Sequence, residues 1–79
     1  MLKSSLPTYA IVELLIRLSQ YNHLIGNYKN HSIFDTGVVV KTSSGSIKFS
    51  LSIIQRQFEN PDAISESELV TLAQLFKQS

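Results

Sequence analysis

The chain has no cysteine and no tryptophan. The first absence removes disulfides and thiolate metal sites, and it makes a reducing cytoplasm the expected setting. Charge is scarce as well: Asp, Glu, Lys and Arg make up 16% of the residues, against roughly 25% in ordinary soluble domains. With a net charge of +1 there is no overall field to draw nucleic acid or an anionic membrane. The longest apolar run, Ala10 to Ile16, is broken by Glu13, so no segment can span a bilayer. Lys3 is not followed by an unbroken apolar core and a small-residue cleavage site, which argues against a signal peptide.

Against these absences stands 43% hydrophobic content. In 79 residues there is room for one domain, 1–79, with residues 1–4 as a flexible tail. A core this small needs help from a disulfide, a metal or a partner chain. Without cysteine, association is the expected help.

The stretch Leu6 to Ile25 reads as a helix that is apolar on nearly every side. Ser5 suits its N-cap, Pro7 its first turn and Gly26 its C′ position. Ile11, Leu14, Leu15, Leu18 and Ile25 recur on one face. Tyr9, Val12 and Ile16 form a second stripe, which is the candidate homodimer interface.

Ile33 to Thr42 and Ile47 to Leu51 carry β-branched and alternating residues, as strands do. A turn centred on Ser44-Gly45 would pair Val40 with Phe49 and Val38 with Leu51, and set Lys41 beside Lys48. Ser50 then caps a second helix with Leu51, Ile54 and Phe58 as its apolar face, ending near Pro61. Ser65 and Glu68 form a capping box for a last helix, stapled by Ile64 and Leu69. Leu69, Leu72, Ala73 and Phe76 line its inner face, and Lys77 falls in its last turn. The expected fold is α+β in the order helix–β-hairpin–helix–helix, a homodimer through the first helix, the hairpin edges, or both.

No cofactor is expected. Asp35-Thr36-Gly37, preceded by Ile33 and Phe34, resembles the active-site motif of aspartic proteases, which implies paired carboxylates sharing a proton. The resemblance spans five residues. Val38 follows where a small residue is usual, and a chain about half helical does not suit that all-β fold. A turn or bulge at a strand start, with Gly37 supplying an unusual backbone angle, accounts for the same residues. His23 and His31 have no carboxylate or cysteine at metal-ligand spacing, so no metal site is expected.

The polar stretch 21–31 concentrates Tyr21, His23, Asn27, Tyr28, Lys29 and His31 around Gly26. Tyrosine gives contact area at low entropic cost and asparagine adaptable hydrogen bonds, so these are the candidate partner-binding residues. The same composition also suits an ordinary polar connection between elements. The expected function is that of a small non-enzymatic regulator or inhibitor, of the accessory kind found in bacteria and phages, acting on another, unidentified protein. The alternative is a dimeric nucleic-acid-binding regulator that places Lys29, Lys41, Lys48 and Arg56 on phosphates.

Overall fold

The computed structural model describes residues 8–78. The Ser5 cap, Pro7 and the expected tail lie outside them. Helix α1 spans Thr8–Ser19. Three antiparallel strands follow: β1 (Tyr28–Phe34), β2 (Gly37–Thr42) and β3 (Gly45–Phe49). Helix α2 (Leu51–Glu59) leads through a 3-10 turn at Pro61–Ala63 to α3 (Glu66–Ala73). A short strand β4 (Lys77–Gln78) then pairs with β3. The sheet order is β1-β2-β3-β4, which makes this a small α+β domain.

Apolar side chains decide which faces meet. Val38, Val40, Ile47 and Phe49 project from one sheet face into a single cluster with Ile11, Leu14, Leu15 and Leu18 of α1. Ile53 and Ile54 of α2, and Leu69 and Ala73 of α3, complete it. The first stripe of α1 is therefore the core stripe, as its spacing indicates, and Ile25 is buried with it.

Several expectations need correction. Helix α1 ends at Ser19, not Ile25. Asn22 stops it: its Oδ1 accepts from the Leu24 N–H, and its Nδ2 donates to the Ala73 carbonyl at 3.0 Å. A side chain offering the backbone a rival partner is a recognised helix breaker. Gly26 does adopt a left-handed angle, φ +83, but it leads the chain into β1 and caps no helix.

Residues 28–32, read as loop, belong to a strand. The hairpin read as one turn is two: Asp35-Thr36 joins β1 to β2, and Ser43-Ser44 joins β2 to β3. Gly37, with φ +149, begins β2 where a Cβ would run into the Phe49 carbonyl. The register is also moved by two residues, so that Val40 faces Ile47 and Val38 faces Phe49. A shift of two keeps every side chain on its expected face, because the strand period is two. Lys41 now sits opposite Ser46 and Lys48 opposite Val39, so the two lysines are diagonal neighbours.

On α2 the buried residues are Ile53, Ile54 and Gln57, whereas Leu51 and Phe58 are exposed. Gln57 is the reason a polar position faces inward: its Oε1 accepts from Arg17 Nη1 at 2.5 Å. The Ser50 cap on the Ile53 N–H and the Ser65–Glu68 capping box are both present. Helix α3 stops at Ala73, which places Lys77 in β4 rather than in a last helical turn.

Candidate functional site

Two features meet on one side of the molecule. The first is β1, the outer strand of the sheet, with no strand beside its far edge among the described residues. Alternate residues of such an edge turn their N–H and C=O groups outward, a template for another strand. Its seven residues include no proline, and Ile33 and Phe34 leave 45% and 53% of their surface exposed. The register slips between Tyr28 and Asn30, a bulge that takes Lys29 out of the ladder.

The second feature is the outward stripe of α1. Ile16 is 59% exposed and Tyr9 58%, while Val12 is half-buried. Tyr9 meets Phe58 edge to face, ring centroids 5.9 Å apart, the favoured aromatic geometry. A groove of about 310 Å³ lies between α1 and the turn into β1, lined by Val12, Leu15, Ile16, Ser19, Gly26, Asn27 and Tyr28. Residues chosen for two separate reasons, helix periodicity and loop composition, thus line one groove.

The six residues chosen from 21–31 divide. Asn27 is fixed by its backbone, its carbonyl accepting from the Ser43 N–H at 2.8 Å and its N–H donating to Ser43 Oγ at 3.0 Å. Tyr28 packs against the core, and its hydroxyl shares a 2.7 Å hydrogen bond with His31 Nδ1, two positions on β1 that the bulge brings together. Lys29 is exposed beside them. Tyr21 points elsewhere, donating to Glu66 Oε2 at 3.3 Å at the start of α3. Partial desolvation first, then the negative charge of Glu66, raise its phenol above the ordinary tyrosine value. His23 is exposed on the connecting turn.

The four cations considered for phosphates do not form one patch. Lys29 and Lys41 border a shared groove of about 350 Å³ with Asn30 and Ser46. Lys48 donates to Thr36 Oγ1 at 3.2 Å. Arg56 makes a two-pronged pair with Glu68, at 3.2 and 2.7 Å, and also reaches the Ala63 carbonyl. The hydrogen bond from Arg56, reinforced by the Ser65 N–H, holds the Glu68 carboxyl below its ordinary range. Asp35 lies exposed in the β1–β2 turn. Among the described residues no three His, Cys, Asp or Glu side chains gather as a metal site.

Composition did not reveal Ile33, Phe34 and Phe58 as exposed apolar contributors. A pattern search for edge strands, in which polar residues occupy both faces, could have found the first two. Comparison with protein-family models, with curated proteins and with solved structures gives no match. No helix among the described residues is long and apolar enough to cross a membrane.

Proposed function

We propose that this protein is a small non-enzymatic regulator or inhibitor that works by binding another protein, and that it does so as a homodimer. The observation that carries the reading is the joined surface. The apolar stripe of α1 and the turn that enters β1 at Tyr28 line one groove, and the open edge of β1 continues from there. Clusters of exposed apolar side chains beside polar contacts mark protein-contact surfaces. The close pairs of polar side chains support the same view. Arg56–Glu68, Tyr21–Glu66 and Arg17–Gln57 each tie one element to another, which is structural use. The setting we propose is the cytoplasm of a bacterium or of a phage-infected cell.

Capture from a lysate tests the reading. The expected result is a partner retained by the wild-type chain and lost when Tyr28 and Lys29 are together changed to alanine, with circular dichroism showing the variant folded. Equal retention by both removes this surface from the argument. The shared Lys29/Lys41 groove is the observation that favours the nucleic-acid alternative. A gel shift on mixed DNA and RNA addresses it, because phosphate contacts must weaken steeply with salt. The salt bridge of Arg56 already occupies one of its four cations.

A further inference from the structure

We propose that the face of the sheet turned away from the helices binds the sugar-phosphate backbone of a nucleic-acid duplex, with Lys41, Lys48 and Lys77 grouped around Ser46 as its contacts. This face differs from the groove of the protein-contact reading. It rests on the nucleic-acid alternative and revises it, exchanging Arg56 for Lys77.

The register builds the site. Val38, Val40, Ile47 and Phe49 turn toward the helices, so the residues between them along β2 and β3 turn away. Opposed residues of an antiparallel ladder share a face. One row on the outer face therefore crosses all four strands: Asn30, Lys41, Ser46 and Lys77. The next row holds Ser32, Val39 and Lys48. From strand spacing and rise, the Cα atoms of Lys41, Lys48 and Lys77 form a triangle with sides of about 8–10 Å, and Ser46 lies midway along the longest side. Lys29, in the bulge, borders with Lys41 the groove of about 350 Å³ at the end of this row.

Charge sets this face apart. The net charge of +1 conceals a separation between the two layers. Among the described residues, the strands and their turns carry four lysines, all exposed, against the single carboxylate of Asp35. The helices and the 3-10 turn carry five carboxylates against two arginines. Both arginines are engaged within that layer, Arg17 by Gln57 and the Pro61 carbonyl, Arg56 by Glu68. Lys41 and Lys77 make no hydrogen bond or ion pair among the described residues. Like charges gathered within a Debye length give a local positive potential that the net charge does not show. The side chains also indicate the partner. Lysine is depleted at protein–protein interfaces, and neither row holds the Arg, Tyr or Trp that anchor them. Lys, Ser and Asn are donors to phosphate oxygens. Neither row presents a ring on which an unpaired base would stack, which favours a duplex over a single strand.

Fluorescence anisotropy of a short mixed-sequence DNA duplex, titrated with the full chain across a salt series, tests the proposal. Binding is expected at low salt, with log affinity falling against log salt at a slope of about −3, near 0.9 for each phosphate contacted. Lys41→Gln together with Lys77→Gln, at two exposed positions, should remove about 2 from that slope. Ser46→Glu sets a carboxylate among the three lysines and should lose binding. Ser67→Glu makes the same change in net charge at an exposed position on α3 and should bind as wild type does. No binding at low salt overturns the proposal. So does equal weakening by Ser67→Glu, which would make net charge the cause. A wild-type salt slope in the double lysine variant overturns it too, and leaves nucleic-acid binding on another face. Tighter binding to a single strand of the same sequence overturns it, as does equal or tighter binding to phosphatidylserine vesicles or to polyglutamate. None of the substituted residues lines the groove between α1 and Tyr28, so capture of a protein partner succeeds or fails separately.

Discussion

Thr42 holds the carbonyl of Ile25 through its hydroxyl at 2.5 Å, while the same oxygen accepts from the Ser44 and Gly45 N–H groups, both at 3.1 Å. One buried side chain thus ties the turn after α1 to the β2–β3 turn and completes its backbone bonding. Thr42→Val keeps the shape and removes every one of these bonds. It should lower stability by about 1–3 kcal/mol, the cost of leaving buried groups unpaired. Thr42→Ser should recover most of the loss. Urea denaturation of the three proteins measures it, and equal midpoints for valine and wild type would refute the role.

That contact also explains where sequence reading stopped. The capping box of α3 was legible because Ser65 and Glu68 satisfy each other within four residues. The faces of the hairpin were legible because Val38, Val40 and Phe49 alternate. Its register was not: turns at Ser43-Ser44 and Ser44-Gly45 give the same faces, and the choice is made by a hydroxyl reaching Ile25. The end of α1 was hidden for the same reason, since Asn22 bonds Ala73, far along the chain. Strand β1 escaped because an edge strand wet on both sides carries no period-two signal; its residues are exposed on both faces except at Tyr28 and His31. Of the candidate site, Tyr9, Val12 and Ile16 were legible as a stripe too many for one core. That Tyr28 stands beside Val12 and Ile16 is a tertiary fact.

The Arg56–Glu68 pair should make stability depend on pH. Glu68 has its folded pKa depressed by Arg56 and the Ser65 N–H. Its contribution is present above the unfolded value, about 4.3 for glutamate, and is lost as pH falls through the folded value. Glu68→Gln should therefore melt below wild type at pH 7, and the gap should close in acid. A gap that stays constant across an acid titration monitored by thermal melting would assign the loss to packing instead.

Gly45 presses against β4: a Cβ there would meet the Lys77 carbonyl and the Gln78 Cα. Gly45→Ala should push β4 off the sheet while the rest of the fold persists, because β4 is two exposed residues long. A loss of about 1 kcal/mol is expected, typical of a single substitution. Amide exchange should show protection lost at Lys77 and Gln78 and kept in β2. Protection lost in both would mean that β4 and the core unfold together.

Ile16 and Leu15 are adjacent on α1 and face opposite environments, one 59% exposed and the other 2%. Leu15→Glu puts a charge into the core and should unfold the chain, because a buried unpaired carboxylate has no compensation. Ile16→Glu should change the stability of the isolated chain by no more than about 0.5 kcal/mol, as surface substitutions do. If the α1 stripe flanks a subunit seam, the same substitution must weaken the dimer far more than it weakens the fold. Sedimentation across a concentration series, set beside urea denaturation at a fixed low concentration, separates the two effects. A dimer untouched by Ile16→Glu would leave the strand edge as the whole interface. A chain unfolded by it would mean that Ile16 serves the fold of the single chain.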